Sequence, residues 1–274
     1  MTSSPASPSE RLRLARLFGD LAASAGALAM EVLARSEIVS QLKDDKSPVT
    51  EADERVEARL LETLGRDLPG LPIIAEEQAA RGETPTHGAS FLLIDPIDGT
   101  REFLSRSSEF TINIALVVSG APIVGVVAAP AQSRVWFAGA ESFLAEAPPG
   151  GALPAPQDWR RLQTRKAPPE GLIALVSKSH LDKETLDFIS RLKIAERLSV
   201  GSSLKFCVIA EGIADVYPRF GPTMEWDTAA GDAVLRAAGG AVLDPAGAPL
   251  LYNKSKEQYR NGPFVAWGEA PPVL

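Results

Sequence analysis

The chain has 274 residues, 45% of them hydrophobic, and a net charge of −7, which is the balance of a globular protein with a large core. The acidic charge argues against a nucleic-acid polymer as partner, because proteins that bind such polymers usually present a basic face. Cys207 is the single cysteine, so no intrachain disulfide can form, and no secretory signal or membrane span is recognised.

The first part of the chain predicts two helices and then a strand-rich meander. Ser9 is expected to cap a helix whose apolar residues recur at helical spacing from Leu14 to Val32. Thr50, with Asp53 three residues later, predicts a capping-box start for a second helix. Short apolar runs predict strands at 72–75, 91–95, 111–118, 123–128 and 135–137.

The second part of the chain alternates between strands and helices. Residues 147–156 are rich in Pro, Gly and Ala and predict a surface linker between two halves, 1–146 and 158–274. Strands are expected at 172–176, 214–217, 241–243 and 264–267, and helices from about Asp182, at 203–210 and at 228–238. This order predicts a layered protein of helices and strands with two sheets, one in each half.

The stretch Asp95-Pro96-Ile97-Asp98-Gly99-Thr100 follows an apolar run that predicts a buried strand. Pro96 and Gly99 predict a turn that points both carboxylates at one spot. Converging carboxylates repel each other unless a cation joins them, and hard oxygen ligands, including the carbonyl of Ile97, suit Mg²⁺ better than zinc. An ordinary strand-to-loop turn is the alternative.

Two further acidic segments are candidates to complete that site. Glu76-Glu77 ends a short apolar strand, and because neighbouring strand residues face opposite ways, only one of the two can face Asp95. Asp227 stands at the predicted N-cap of a helix, where it either holds a metal or merely caps. Asp232, further along that helix, is expected to be a solvated charge.

Two segments of the second half carry cations suited to an anion. Gly201-Ser202-Ser203-Leu204-Lys205 opens a helix, where free N–H groups, hydroxyls and a lysine favour a phosphate, with a plain helix start as the alternative. Residues 217–222 predict a loop that holds Arg219 and either fits a base and a phosphate or is a rigid turn. Cys207 lies in an apolar run and is expected in the core.

Several chemistries are not expected. His87 and His180 are the only histidines, too few for a histidine-rich zinc site. The sequence has no Gly-x-Ser-x-Gly elbow and no P-loop pattern. The spacing of Asp95 and Asp98 does not match phosphatases whose nucleophilic aspartate is followed by a second aspartate two residues on.

Glu76-Glu77, Asp95-Pro96-Ile97-Asp98-Gly99-Thr100 and Trp226-Asp227-Thr228-Ala229-Ala230-Gly231 together resemble the three signature motifs of the inositol monophosphatase superfamily of Mg²⁺-dependent phosphatases. Within it, the chain most resembles the CysQ-type 3'(2'),5'-bisphosphate nucleotidases. That closer resemblance lies in 98–103, 109–116, Ser179-His180, 201–207 and 217–222.

The resemblance implies an α+β fold, a layered α-β-α-β-α sandwich, and hydrolysis of adenosine 3',5'-bisphosphate to AMP and phosphate, which recycles the by-product of sulfate assimilation. It implies two or more Mg²⁺ ions on Glu76, Asp95, the carbonyl of Ile97, Asp98 and Asp227, and activation of water by Asp53 and Thr100. It also implies substrate contacts, which are Glu76, Ile97, Asp98, Gly99, Thr100, His180, Ser202, Lys205, Arg219 and Asp227.

Three matters stay open at this point. A phosphatase for inositol phosphates or another sugar phosphate is the alternative enzyme, and a non-catalytic nucleotide sensor is the alternative outside enzymes. Sulfated nucleotides such as 3'-phosphoadenosine 5'-phosphosulfate are further candidate substrates. We expect a cytoplasmic monomer or homodimer whose partner is a small nucleotide, with contact at the inner face of the membrane as a further option.

Overall fold

A computed structural model describes residues 7–42, 48–178 and 182–269 of the chain. The helices are α1 (Pro8–Leu33), α2 (Glu51–Asp67), α3 (Glu76–Ala80), α4 (Thr100–Leu104), α5 (Lys183–Ile189), α6 (Leu204–Ala210) and α7 (Glu225–Ala237). The strands are β1 (Ser40–Leu42), β2 (Pro48–Thr50), β3 (Ile73–Ala75), β4 (Ser90–Asp98), β5 (Thr111–Val118), β6 (Ala121–Ala129), β7 (Arg134–Ala138), β8 (Ser142–Glu146), β9 (Arg160–Arg161), β10 (Leu172–Ser177), β11 (Ile194–Val200), β12 (Val216–Arg219), β13 (Thr223–Met224), β14 (Ala241–Leu243), β15 (Arg260–Asn261) and β16 (Phe264–Trp267).

Two large sheets organise the chain, as the sequence predicts. The first has seven strands in the order β3-β4-β5-β6-β7-β8-β9, with β3 parallel to β4 and antiparallel pairing from there on. The second has five strands in the order β11-β10-β12-β16-β14, with β10 parallel to both of its neighbours. Two small ladders, β1 with β2 and β13 with β15, were not expected from the sequence.

Helices cover both faces of both sheets, which gives the layer order α-β-α-β-α that the family resemblance implies. Strand β4 shows how the first sheet is buried twice: Leu92 and Ile94 pack with α1 and α2, whereas Phe91 and Leu93 pack with α6 and α7. A strand buried on both faces reads as a continuous apolar run, which is why its position was predicted.

The second sheet is also covered on both faces. Phe264 and Ala266 point into the core that contains α6 and α7, and Val265 and Trp267 point to the other side, where Phe188 of α5 packs. Helices α6 and α7 therefore form a middle layer shared by the two sheets. Cys207 of α6 is buried in that layer, as predicted.

The middle layer approaches the first sheet closely because small residues face each other. A Cβ on Gly125 of β6 would lie 2.5 Å from the carbonyl oxygen of Ala230, and a Cβ on Gly231 would lie 2.4 Å from the ring of Phe206. The prediction that the small residues after Asp227 allow close packing is confirmed. The contact between Gly125 and Ala230 holds α7 against the central strand β6 of the first sheet.

Several predicted boundaries were wrong. Helix α1 starts at Pro8 and is capped by Ser7, whose Oγ accepts from the Glu10 N–H at 3.2 Å, rather than by Ser9. Strands β8 and β11 were missed. Most side chains of β11 are exposed, so it shows no clear apolar pattern, whereas β8 has a short, mostly buried apolar run that was not assigned to a strand. The division into halves at 146 and 158 stays a prediction, while β9 of the first sheet lies beyond both positions.

Within the part of the chain that the structure describes, no helix combines the length and apolar character needed to cross a bilayer.

Candidate active site

A bulge in β4 brings the two aspartates of the central motif together. Asp95 pairs with Asn113 and Asp98 with Thr111, so three steps along β4 match two steps along β5. Side chains alternate along a regular strand, and residues three apart would face opposite ways; the extra residue corrects this. The predicted turn at Pro96 was therefore wrong: the strand continues to Asp98 and ends at Gly99, whose φ of +91° starts α4.

Asp95 is a buried carboxylate without a matching cation. It is 2% exposed, and its Oδ1 has no hydrogen-bond partner among the described residues. Burial raises the pKa of Asp95 well above its usual value, and the charges of Glu76, Asp98 and Asp227 raise it further. Asp95 and Glu76 also share a hydrogen bond, which requires a proton between two carboxyl groups.

Asp98 and Asp227 border the same cluster. Burial raises the pKa of Asp98 to about 6, while Lys205 and the Ser203 N–H act in the opposite direction. The pKa of Asp227 is raised well above its usual value by burial and then by Asp98 and Glu76. The side chains of Asp98 and Asp227 are partly exposed to water, so their charges are screened from the other carboxylates more than the charge of buried Asp95 is.

Asp227 was predicted to be the N-cap of α7, and this was wrong. It is the third residue of the helix. Its Oδ2 accepts from the N–H of Met224, the residue before the helix, at 2.9 Å. The predicted surface position of Asp232 was also wrong. That residue is fully buried and is held by Arg236 and by the Tyr252 hydroxyl at 2.9 Å.

Glu76 and Glu77 have different surroundings. Both residues open the short helix α3 instead of ending β3, because the strand stops at Ala75. The N–H of Glu77 donates to Glu57 at 2.7 Å and the Glu77 side chain is buried, whereas the charge of Glu76 acts on Asp95. Of the two, Glu76 is thus the member that faces the aspartates.

These residues fit a magnesium site. Among the described residues, no three Asp, Glu, His or Cys side chains already stand in a chelating arrangement. The raised pKa values of Asp95, Asp98 and Asp227 nonetheless show that these aspartates and the charge of Glu76 repel each other, and Asp95 Oδ1 lacks a donor among the described residues. A hard divalent cation would offset the repulsion between the carboxylates and give Asp95 Oδ1 a partner. An all-oxygen ligand set suits Mg²⁺.

Thr100 and Asp53 form the polar pair next to this cluster. Thr100 Oγ1 lies 3.4 Å from Asp53 Oδ1 and 3.2 Å from the Ile97 carbonyl oxygen. The capping box predicted at Thr50 is confirmed, since Asp53 Oδ2 accepts from the Thr50 N–H at 2.8 Å and from its hydroxyl at 2.6 Å. Asp53 is therefore fixed by one oxygen, and the other is turned to Thr100.

Two cationic side chains of the second half, Lys205 and Arg219, lie near this cluster. Lys205 is 4% exposed, and its Nζ donates to the carbonyl of Ser202 at 2.6 Å and lies 5.0 Å from the centre of the Tyr217 ring. Burial lowers the pKa of Lys205 to about 8, against the opposing effect of Asp98. Arg219 ends strand β12 and is 8% exposed, so residues 217–219 are strand and not the predicted loop.

A cleft of about 200 Å³ joins the two sides. Its lining includes the predicted residues Asp98, Gly99, Thr100, Ser202, Lys205, Arg219 and Asp227. Asp53 and Asp95 do not line it and lie buried behind Thr100 and Asp98. His180 lies outside the described residues, so its predicted substrate contact stays a prediction.

Sequence reasoning missed a hydroxyl network under the cleft. Ser203 Oγ contacts Thr111 Oγ1 at 2.8 Å and donates to Asn113 Oδ1, also at 2.8 Å. This network connects the start of α6 to β5. Its two β5 residues, Asn113 and Thr111, are the strand partners of Asp95 and Asp98. Polar residues inside the otherwise apolar run 111–118 were the available signal.

Comparisons with known proteins find relatives over most of the chain. A model of the inositol monophosphatase family matches residues 13–269. The 3'(2'),5'-bisphosphate nucleotidase CysQ of Shigella flexneri is 43% identical over 223 residues, which cover 81% of this chain and 86% of that protein.

Solved structures are similar over nearly the whole chain. The crystal structure of CysQ from Bacteroides thetaiotaomicron has a TM-score of 0.76 and 35% identity, covering 94% of this chain and 96% of that one. An inositol monophosphatase from Zymomonas mobilis has a TM-score of 0.74 and 26% identity, covering 96% and 94%. The backbones are thus almost equally similar, and the sequence is more similar to that of CysQ.

Proposed function

This chain belongs to the inositol monophosphatase family, and on that premise we propose how its cleft performs phosphate-ester hydrolysis. The chain is a phosphoric monoester hydrolase of the 3'(2'),5'-bisphosphate nucleotidase type, which converts adenosine 3',5'-bisphosphate to AMP and phosphate. The observation that carries the proposal is that Asp98 and Asp227 line one cleft together with the buried cations of Lys205 and Arg219. The charges of Glu76 and the buried Asp95 belong to the same carboxylate cluster.

The carboxylate side of the cleft is the proposed metal site. Glu76, Asp95, Asp98, Asp227 and the Ile97 carbonyl would hold two or more Mg²⁺ ions. Bound Mg²⁺ supplies positive charge for the phosphoryl group and lowers the pKa of the attacking water. A chain of net charge −7 needs such ions to attract a bisphosphate.

Thr100 and Asp53 are proposed to orient that water. The Thr100 hydroxyl proton points toward Asp53 Oδ1 or the Ile97 carbonyl, so a lone pair of Oγ1 is left to accept a hydrogen bond from water. Thr50 binds Asp53 through Oδ2, and Oδ1 is the oxygen that lies within reach of the Thr100 hydroxyl. A carboxylate within reach of the hydroxyl can take up the proton that the water releases.

The cationic side is proposed to bind the phosphate that is not cleaved. Lys205 and Arg219 are fixed in place by backbone carbonyls: Lys205 by that of Ser202, and Arg219 by those of Gly221 at 3.2 Å and Pro222 at 3.1 Å. Cations fixed in this way lose little freedom when an anion arrives. Ser202, Gly99 and His180 are proposed as further substrate contacts.

The decisive experiment compares substrates. Phosphate release from adenosine 3',5'-bisphosphate should depend on Mg²⁺ and exceed release from inositol 1-phosphate. Lys205→Gln should reduce the preference for the nucleotide, whereas Lys166→Gln, an exposed matched control, should not. An equal or greater rate with inositol 1-phosphate would contradict the substrate assignment and leave the metal site standing.

A further inference from the structure

Glu109 joins the two halves of the cleft through a carboxylate that the proposed mechanism does not use. It lies in the loop between α4 and β5, on the side of the first sheet. Its Oε2 accepts from the Gly201 N–H at 2.6 Å and forms an ion pair with Lys178 Nζ at 2.9 Å. Both partners belong to the second half of the chain, so this single carboxylate binds two of its segments.

The contact with Gly201 continues to the cation that faces the substrate. Gly201 is followed by Ser202, whose φ of +46° is uncommon for a residue with a side chain. The Ser202 carbonyl in turn accepts from Lys205 Nζ at 2.6 Å. The position of the Lys205 ammonium therefore depends on a backbone turn that starts at the residue Glu109 holds.

Glycine at position 201 allows the close contact with Glu109. A Cβ built there would lie 3.0 Å from Glu109 Oε2 and 3.1 Å from the Cγ of Glu102, tighter than ordinary van der Waals contact. Any larger residue would push the carboxylate away or shift the turn. Gly201 thus gives an independent way to disturb the same link.

We propose that Glu109 is a positioning residue that sets the preference of this enzyme for substrates with a second phosphate. Glu109 holds the Gly201–Ser202 turn against the first half, and the turn holds Lys205 at the correct distance from the metal side. It acts through Lys205 and not on the phosphate that is cleaved. This inference rests on the proposed nucleotidase function.

The test compares two substrates that differ only in the second phosphate. For Glu109→Ala, we expect the KM for adenosine 3',5'-bisphosphate to rise about tenfold, because a hydrogen bond to a charged acceptor is lost. The kcat for that substrate should change little, and kcat/KM for adenosine 3'-monophosphate should stay near the wild-type value.

Three further variants separate the two contacts. Glu109→Gln keeps an acceptor for the Gly201 N–H and loses the ion pair, and Lys178→Ala loses only the ion pair, so both should raise the KM much less than Glu109→Ala. Gly201→Ala should act like Glu109→Ala. Glu141→Gln, which removes a surface ion pair with Arg161 far from this turn, is the matched control.

The outcomes separate this inference from the proposed function. Equal losses on both substrates in Glu109→Ala would mean a structural or catalytic role and would overturn the inference, as would unchanged kinetics on both. If the wild-type chain does not prefer adenosine 3',5'-bisphosphate to inositol 1-phosphate, the proposed function fails. Competitive inhibition by adenosine 5'-monophosphate then still tests Glu109, since its Ki should rise in Glu109→Ala and must not rise in Glu141→Gln.

Discussion

Asp227 and Asp232 lie on the same helix, α7, and have opposite surroundings. Asp232 is fully buried, and the groups around it are the Arg236 guanidinium and the Tyr252 hydroxyl, which stabilise its charge. Asp227 faces Asp98 and Glu76, which destabilise its charge. Glu225, also fully buried, is satisfied by the N–H groups of Asn253 at 3.0 Å and Lys254 at 2.9 Å.

The contrast distinguishes two uses of an acidic side chain inside a protein. A buried carboxylate with its own donors and cation is a structural element, and removing it leaves its partner unpaired. A group of buried carboxylates whose mutual repulsion outweighs their few local donors is incomplete without an external cation. Substitutions in the two groups should therefore have opposite consequences for stability and activity.

The largest effect is expected for Asp98→Asn. Loss of one metal ligand should lower kcat/KM for the bisphosphate by about 10³-fold, since metal ions supply several kcal/mol of transition-state stabilisation. The melting temperature without Mg²⁺ should not fall, because one repelling charge is removed.

Phosphate release and thermal unfolding of the same preparation measure both effects. Asp158→Asn, an exposed aspartate, is the matched control and should behave as wild type. Full activity of Asp98→Asn would overturn the metal assignment.

Thr100→Val should lower kcat by about 10²-fold, the lower range for loss of a positioned proton-transfer group. Valine keeps the shape of threonine and removes the hydroxyl that lies 3.4 Å from Asp53. Thr100→Ser should retain most of the activity. A Thr100→Val variant with wild-type kcat would exclude the pair as the water-orienting group.

Asp232→Asn should change stability instead of activity. Arg236 would lose its charged partner in a mostly buried position, which should cost about 2 kcal/mol of unfolding free energy. Activity per folded molecule should equal that of wild type. Urea unfolding gives the free energy, and a variant as stable as wild type would remove the structural side of the comparison.

The smallest effect is a pH dependence of stabilisation by Mg²⁺. Folding raises the pKa of Asp98 to about 6. The protonated side chain therefore stabilises the metal-free fold fully at a pH below the usual aspartate pKa, and this stabilisation is lost as the pH rises through about 6. Mg²⁺ needs the deprotonated ligands. The stabilisation of the folded chain by Mg²⁺ should therefore grow between pH 5 and pH 7.5 by an amount on the order of 1 kcal/mol in the free energy of unfolding.

The comparison is made by thermal unfolding at both pH values, with and without Mg²⁺. Asp232 also has a raised pKa, to about 6, but its contribution is the same with and without the ion and cancels. The same gain at both pH values would show that the carboxylates are not coupled to the ion.

Much of this site is predictable because its signals are local. The Thr50–Asp53 capping box depends on four consecutive positions, and the strand before Asp95 is apolar throughout because both of its faces are buried. Such features need no knowledge of the rest of the chain.

The errors arise where distant residues decide the outcome. Asp232 looks like a surface charge until Tyr252 is placed beside it by the strand and loop after α7. The link between Glu109 and Gly201 joins residues 92 positions apart, and nothing in the local sequence around Glu109 reveals its partner. Strand β11 pairs only with β10 and is largely exposed, so its pairing leaves no hydrophobic pattern.

The bulge in β4 makes the length of the central motif as important as its composition. Three steps on β4 against two on β5 place Asp95 and Asp98 together. A deletion of one residue between them would leave two steps against two and restore regular pairing, and the local bend that the extra residue gives the strand at the two carboxylates would be lost. During evolution this segment should accept substitutions at Pro96 far more readily than any insertion or deletion, so a fixed spacing between the two aspartates is the constraint that descendants of this fold inherit.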